Sequence, residues 1–506
     1  MTRGQMGWWL GAVGVLLLYG ATRLWALTAL PVFLDEAYHI EIARLVWDLQ
    51  PFHAASDGRL LNVWWMALFW PFQAGVWVSR AAHVLGAMVG LAALLALVRE
   101  GLDWRMALVA GVLYIFTPLV FFYERMALAD SLSAAAVTVG VLFGWRAARR
   151  ETGWGWAALS GLALAAAVLV KLSNVVFVGV PLAVAVSQMG ARRWQRLGVV
   201  TLISLSVWVG VLTSAAGVLN GIGGSDMGLD LLFGKTATDG LGLPGYLPVS
   251  GPLVWARVVG MMSWPVLAVL GILVVVGWLN VNGRLTWLAT MIVLPTVGVL
   301  VVRTAPGFIE TRFLPVYVPL IMVGVAGGLQ WLVAKLPNRT AVGLTVFVLA
   351  MVGLPGGLFM GQAYADPAEL PLMDRDQWQY VRGWPSGYGF AAVRQAAEVV
   401  GGPMTVATLD LGGWQRLTAD APATGLVTYR WMPVAVVLSE WRTTRVDEVR
   451  WLVVDWPKDE LELAQIPFAR TEVLRVERPG GESVLIVYQF GGGGVTIGGR
   501  GGVSGR

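Results

Sequence analysis

Residues 31–41, Pro-Val-Phe-Leu-Asp-Glu-Ala-Tyr-His-Ile-Glu, set two adjacent carboxylates, Asp35 and Glu36, directly after the apolar run Trp8 to Leu30. The residues that follow read as a helix, which puts Asp35 and His39 one turn apart on one face. A carboxylate there is either solvated boundary charge or a general base. As a base it would take the proton of an attacking hydroxyl, an effect typically worth about 10²–10⁴-fold in rate. His39 beside Tyr38 either orients Asp35 or simply packs. Four further charged groups recur along the chain: Glu124-Arg125…Asp130, Lys171, Arg303, and Glu310-Thr311-Arg312-Phe313-Leu314-Pro315. Asp130 opens an apolar helix, a place that favours an anion on dipole grounds, so it is either a cap or a second acid. Arg125, Lys171, Arg303 and Arg312 suit an anion such as a phosphate, which arginine can hold bidentately. If that phosphate carries a sugar, the same cations stabilise it as it leaves.

The composition says what kind of scaffold positions these groups. The chain has 506 residues, 57% hydrophobic and 13% charged, with 26 Trp and 63 Gly. Soluble domains carry about a quarter charged residues, so the deficit points to a polytopic membrane protein. Abundant Trp fits rings anchored at the water–lipid interface. The absence of cysteine excludes disulfides, thiolate metal sites and a Cys nucleophile. Three histidines, His39, His53 and His83, argue against a multi-His metal site. The net charge of +5 is small for the length and belongs with cytoplasmic loops rather than nucleic acid.

A membrane crossing needs about 20 apolar residues. Runs at 8–30, 76–98, 106–123, 128–145, 155–170, 174–190, 198–219, 259–280, 285–302, 313–334 and 340–362 predict about eleven transmembrane helices. The first is read as a retained anchor, too long for a signal-peptide core. With the N-terminus cytoplasmic, the inside loops hold Arg3; Arg99 and Arg105; Arg146, Arg149 and Arg150; Arg192, Arg193 and Arg196; Arg284; Lys335 and Arg339. Every inside loop is then basic, as the positive-inside rule asks. Asp35, Glu36, Asp130, Lys171, Arg303, Glu310 and Arg312 fall on the outer side, and so does everything after 363. Charges gathered at one membrane face mark a functional site for an anionic ligand.

Residues 31–75 form an outer loop in which 36–48 and 60–70 read as interfacial helices separated by a turn at 51–58. The Gly- and Pro-rich stretch 220–258 is either a lid or a plain connection. From about residue 364 the polar content rises. A helix at 388–400 and β-rich runs at 404–408, 426–430, 433–438, 450–455, 470–476 and 483–489 predict a small α/β domain. The organisation is thus 1–363 transmembrane, 364–490 soluble α/β, and 491–506 a Gly-rich disordered tail. No dinucleotide or phosphate-loop fingerprint stands in the required strand–turn–helix context.

The order of these features resembles the GT-C type glycosyltransferases that use lipid-phosphate sugars. It resembles most the glycosyltransferase family 39, the protein O-mannosyltransferase and aminoarabinose-transferase group. The likeness is carried by Leu34-Asp35-Glu36-Ala37-Tyr38-His39, by Glu124-Arg125-Met126-Ala127-Leu128-Ala129-Asp130 and by Arg312-Phe313-Leu314-Pro315, and it covers residues 1–335. The resemblance implies Asp35 as catalytic base, with Glu36 assisting acceptor or metal binding and Asp130 as the second acidic position, Arg125 beside it. It implies that Arg312 holds the donor phosphate, joined by Lys171 or Arg303, with His39 and Glu310 in the same substrate site. A divalent cation, Mg or Mn, on Asp35, Glu36 or Asp130 is left open, because relatives differ. The implied partners are a polyprenyl-phosphate-linked sugar, an acceptor protein, lipid or glycan, and membrane lipid, with no nucleic acid. The C-terminal part does not resemble the repeat domain of the eukaryotic mannosyltransferases, so the acceptor does not carry over. Two alternatives stay open: a lipid-linked-sugar flippase or transporter, which would want polar groups at mid-membrane, and an oligosaccharide ligase.

Overall fold

A computed structural model describes residues 3–149, 153–187, 193–221, 247–279, 283–303, 310–400, 404–420, 427–431, 449–466 and 469–490. The centre of the 220–258 stretch, the strand expected at 433–438 and the tail 491–506 lie outside the described residues. The chain divides into two compact units. One comprises Met1–Ala29, Ile42–Phe69 and Trp77–Met373; the other comprises Leu30–Glu41, Trp70–Val76 and Asp374–Arg506.

The first unit is helical. It contains α1 (Arg3–Leu24), α3 (Leu60–Ala67), α4 (Gly75–Gly101, from Trp77 on), α5 (Trp104–Ile115), α6 (Pro118–Glu124), α7 (Ala129–Arg149), α8 (Trp154–Val170), α9 (Val180–Ser187) and α10 (Arg193–Gly221). Helix α2 (Leu34–Leu45) begins in the second unit and ends in the first. Helices Leu247–Met262, Trp264–Leu279, Arg284–Arg303, Val318–Val333 and Asn338–Ala365 follow. Helix occupies each of the eleven apolar stretches, but not each as one straight crossing. Among the described residues six helices are long and apolar enough to cross a membrane, or up to eight if two bent pairs count as one span each.

Three differences from the sequence expectation have physical causes. The first apolar run does not stay helical to Leu30; α1 stops at Leu24 and the chain turns, with Ala26 at φ 45°. Arg125 Nη2 donates to the carbonyls of Trp25 (2.9 Å) and Ala26 (2.5 Å), so a contact from far along the chain replaces the next helical bonds. The stretch 106–123 is bent by 67° between α5 and α6, where Pro118 opens the second helix. The stretch 259–280 breaks at Ser263, φ 64°: its first residues end the helix Leu247–Met262, which reaches back into the stretch read as a loop, and Trp264–Leu279 is folded off from it by 111°. In addition Trp154–Val170 and Leu172–Ser187 are shorter than a straight crossing. Lys171 ends α8 in extended backbone, and a 3₁₀ segment, Leu172–Gly179, leads into α9.

Helix α7 packs against α8, and α8 against α10. Trp264–Leu279 and Val318–Val333 cross at glycines: a Cβ on Gly328 would lie 1.8 Å from the Leu273 carbonyl oxygen. Close backbone approach at small residues is how helices associate where burial from water supplies no drive.

The second unit carries a five-stranded sheet, order β2-β1-β3-β5-β4. The strands are β1 (Met404–Thr408), β2 (Val427–Trp431), β3 (Val449–Trp456), β4 (Arg470–Glu477) and β5 (Val484–Phe490). Strand β1 runs parallel to β2 and β3, while β3–β5 and β4–β5 are antiparallel. Alternate residues face opposite layers. Trp451, Val453, Leu485 and Val487 pack with Phe390 and Val393 of the helix Phe390–Val400, whereas Leu452 and Val454 pack with Leu463 and Ile466. Burial on both faces explains why β3 reads as a continuous apolar run. These strands lie within one or two residues of the sequence expectation. The helix Leu411–Thr418, capped by the Asp410 carboxylate on Gly413 N (2.6 Å), was not anticipated.

Candidate active site

In the second unit, the segment bearing the acidic pair is held at its start. Leu34 N donates to the Pro385 carbonyl at 3.0 Å, and the Phe33 ring lies 4.7 Å from that of Tyr380. Val32 comes so close to Gly387 that a Cβ there would sit 2.1 Å from the Val32 carbonyl oxygen. The two carboxylates then part ways. Glu36 is fully buried, and its Oε2 accepts from Phe33 N at 3.0 Å, closing the first turn of α2 as in a capping box. Asp35 stays partly exposed. His39 is buried, its ring 5.7 Å from that of Tyr38.

In the first unit, a charged cluster is built around Lys171 at the end of α8. Lys171 Nζ lies 2.6 Å from Asp130 Oδ1, in the first turn of α7, and 4.3 Å from the centre of the Phe313 ring. Arg312 pairs with Glu310, and its guanidinium lies 5.9 Å from the same ring. Arg312 and Arg59 are both near enough for their charges to act on Lys171. Arg59 pairs with Asp57 at 3.4 Å, and Leu172 N donates to the Gly58 carbonyl at 3.0 Å. Asn174 Nδ2 donates to Ser133 Oγ and to the Ala167 carbonyl, both at 2.8 Å, pinning α8 to α7 beside the cluster. Sequence reasoning brought Asp130, Lys171, Glu310 and Arg312 to one face but missed Arg59. The signal was Asp57-Gly58-Arg59: Gly58 has φ 67° and turns the chain sharply, so the charges flanking it are held at fixed positions.

Glu124 and Arg125 do different work. Glu124 is buried, pairs with Arg23 Nε at 3.1 Å and accepts from Tyr114 Oη at 2.6 Å. Arg125 caps the turn after α1 and lies 4.9 Å and 5.0 Å from the centres of the Phe121 and Tyr364 rings. Arg303 ends its helix, and its side chain lies outside the described residues. Among the described residues no three His, Asp or Glu side chains converge to hold a metal ion.

The fold is the GT-C fold of membrane glycosyltransferases that use polyprenyl-phosphate sugars, as the sequence resemblance implied. Residues 61–222 match the profile of the dolichyl-phosphate-mannose-protein mannosyltransferase family. The chain is similar to ArnT from Cupriavidus metallidurans bound to undecaprenyl phosphate, with TM-score 0.63 and 14% identity over 95% of this chain and 98% of that one. The apo state of that protein gives TM-score 0.58 and 16% identity over 96% and 98%. The oligosaccharyltransferase of Archaeoglobus fulgidus gives TM-score 0.50 and 12% identity over 87% of this chain and 68% of that one. A comparison with curated protein sequences finds no match.

Proposed function

We propose that this chain is an integral-membrane glycosyltransferase moving a sugar from a polyprenyl-phosphate donor to an acceptor at the extracytoplasmic face. The observation that carries the reading is the cluster of Arg59, Lys171 and Arg312 with Asp57, Asp130 and Glu310. Three cations held in place by carboxylates suit a phosphate. The fold shared with a structure that contains undecaprenyl phosphate supports a lipid-linked one.

In this mechanism Asp35 accepts the proton of the acceptor group. A bond forms from that group to the anomeric carbon as the bond from carbon to phosphate oxygen breaks. The electron pair stays on the departing polyprenyl phosphate, and Lys171, Arg312 and Arg59 meet its charge. Asp130 and Glu310 keep Lys171 and Arg312 oriented, Glu36 fixes the helix start beneath Asp35, and His39 orients Asp35 from one turn on. Arg125 serves the turn after α1, and Arg303 joins the donor-binding cations.

The test is a panel of radiolabelled polyprenyl-phosphate sugars given to protein reconstituted in lipid, with and without chelator. One member should transfer its label, and Asp35→Asn should slow the transfer by roughly 10²–10⁴-fold while the protein stays folded. Unchanged turnover in that variant would overturn the assignment. Movement of intact donor across the bilayer without transfer would favour a transporter. The chelator arm tests the need for a divalent cation.

A further inference from the structure

At the opposite, basic ends of α1, α4 and α7 a cavity of about 750 Å³ opens. It is lined by Trp8, Trp9, Ala12 and Leu16 of α1 and by Ala92, Leu95, Ala96, Arg99 and Glu100 of α4, with Arg146 and Arg149 of α7 closing one end. The α4 positions repeat at helical spacing, so they form one face: small and apolar along its length, charged at its last turn. The volume lies within the range of small-molecule sites, about 300–1,000 Å³.

The charges at that end do not balance. Arg146 gives both Nε (2.8 Å) and Nη2 (2.5 Å) to Glu100 Oε1. Arg149 donates Nη1 to the Glu100 backbone carbonyl at 3.0 Å and keeps its guanidinium 5.1 Å from the Trp145 ring. Arg99 is exposed and stacks 4.7 Å from Trp8; among the described residues no acceptor meets its donors. Among the described residues that line the cavity, one carboxylate thus faces three guanidiniums. All three stack on tryptophans, Arg146 lying 4.8 Å from the Trp156 ring, but Arg146 gives its Nε and Nη2 to Glu100, so Arg99 and Arg149 are the ones held in place with donors to spare. The apolar wall runs from this charged mouth toward the middle of α1 and α4.

We propose that this cavity binds one anionic phospholipid, its phosphodiester against Arg99 and Arg149 and one acyl chain along Ala12, Leu16, Ala92 and Ala96. Basic pockets between membrane helices recognise anionic headgroups in this way, each arginine strengthening the attraction about fivefold. The alanines leave the slot that the chain fills, and Trp8 and Trp9 sit at headgroup depth.

Delipidated full-length protein in detergent should retain dioleoyl phosphatidylglycerol about 30-fold more tightly than dioleoyl phosphatidylcholine by native mass spectrometry, from two arginines. The double variant Arg99→Gln, Arg149→Gln should lose that preference and keep its melting temperature without lipid. Glu100→Gln, which releases Arg146, should increase retention. Ala92→Trp, which fills the slot and leaves the arginines in place, should also lose the lipid. Equal retention of the two lipids by the native protein would overturn the proposal. So would a preference equally sensitive to Lys335→Gln with Arg339→Gln, or glycerol phosphate binding as tightly as the lipid.

Discussion

Asp35 and Glu36 are neighbours of the same chemistry, and only their surroundings separate them. Glu36 is closed against the Phe33 amide, so Glu36→Gln should act on stability, costing about 0.5–2 kcal/mol as lost helix caps do and lowering the melting temperature with little change in kcat. Asp35→Asn should do the reverse: kcat lower by roughly 10²–10⁴ and an unchanged melting temperature. Thermal melts beside initial rates on one batch check both. The Lys171–Asp130 pair allows a similar separation. Removing one member of a buried pair costs on the order of 3–5 kcal/mol, whereas replacing both by apolar residues is often neutral. Lys171→Met with Asp130→Leu should therefore melt near the native temperature yet lose affinity for the donor, whereas Asp130→Leu alone should melt well below it. If the double variant keeps native donor KM, Lys171 does not hold the phosphate.

The start of α2 is positioned by a chain of contacts inside the second unit. Pro385 accepts from Leu34, and the loop containing Pro385 is gripped from the sheet side. Arg416 Nη1 donates to the Ser386 carbonyl at 3.1 Å and also to that of Trp384, while Arg478 Nε donates to Tyr388 O at 3.2 Å. Asp455, at the end of β3, pairs with Arg416 at 2.8 Å and with Arg478 at 2.5 Å, all three buried. Asp455→Ala would strand two buried guanidiniums, at roughly 3–5 kcal/mol. Hydrogen exchange should then speed up across 383–389 and 31–36 together; faster exchange confined to the sheet would sever the proposed link to α2. Gly387→Ala should disturb the same contact by pushing a methyl at the Val32 carbonyl, lowering kcat with the sheet intact. The strands were readable in the sequence because Val and Ile runs of strand length have few other uses. The Arg416–Asp455–Arg478 clamp was not, because its partners stand 39 and 23 residues apart and each is an ordinary charge in its own stretch. Asp459 adds a pH signature. Burial pushes its carboxyl above the usual carboxylate value, only partly offset by Lys458, so the folded state holds this proton more tightly than the unfolded chain does. Its contribution to stability is present at low pH and is lost as pH rises through the raised value. Asp459→Asn should flatten that part of a melting-temperature profile taken from pH 4 to 7.

At the scale of the whole molecule, hydropathy located most of the described apolar helices but not their shape, and it read the start of the helix Leu247–Met262 as loop. Length and composition cannot report a 111° fold at Ser263 or a turn held by Arg125, since both are settled by partners elsewhere in the chain. Arginine placement carries more information, because it reflects insertion rather than packing. Arg99, Arg146 and Arg149 line one cavity, as the topology drawn from the loops requires of groups on one side. The same topology assigns Leu49 and Leu461 to the extracytoplasmic side and Arg339 to the cytoplasm. The chain has no cysteine, so single cysteines can be introduced into an otherwise silent background. Leu49 and Leu461 are 90% and 76% exposed, and Arg339 is also exposed, so substitution at each should be tolerated. In intact cells with a permeable outer barrier, Leu49→Cys and Leu461→Cys should react with a membrane-impermeant maleimide within minutes, and Arg339→Cys only after the membrane is opened. If Arg339→Cys reacts first, the orientation is reversed. Asp35 and Lys171 would then lie on the cytoplasmic side, and the donor would have to be presented on the face where lipid-linked sugars carry the opposite accessibility.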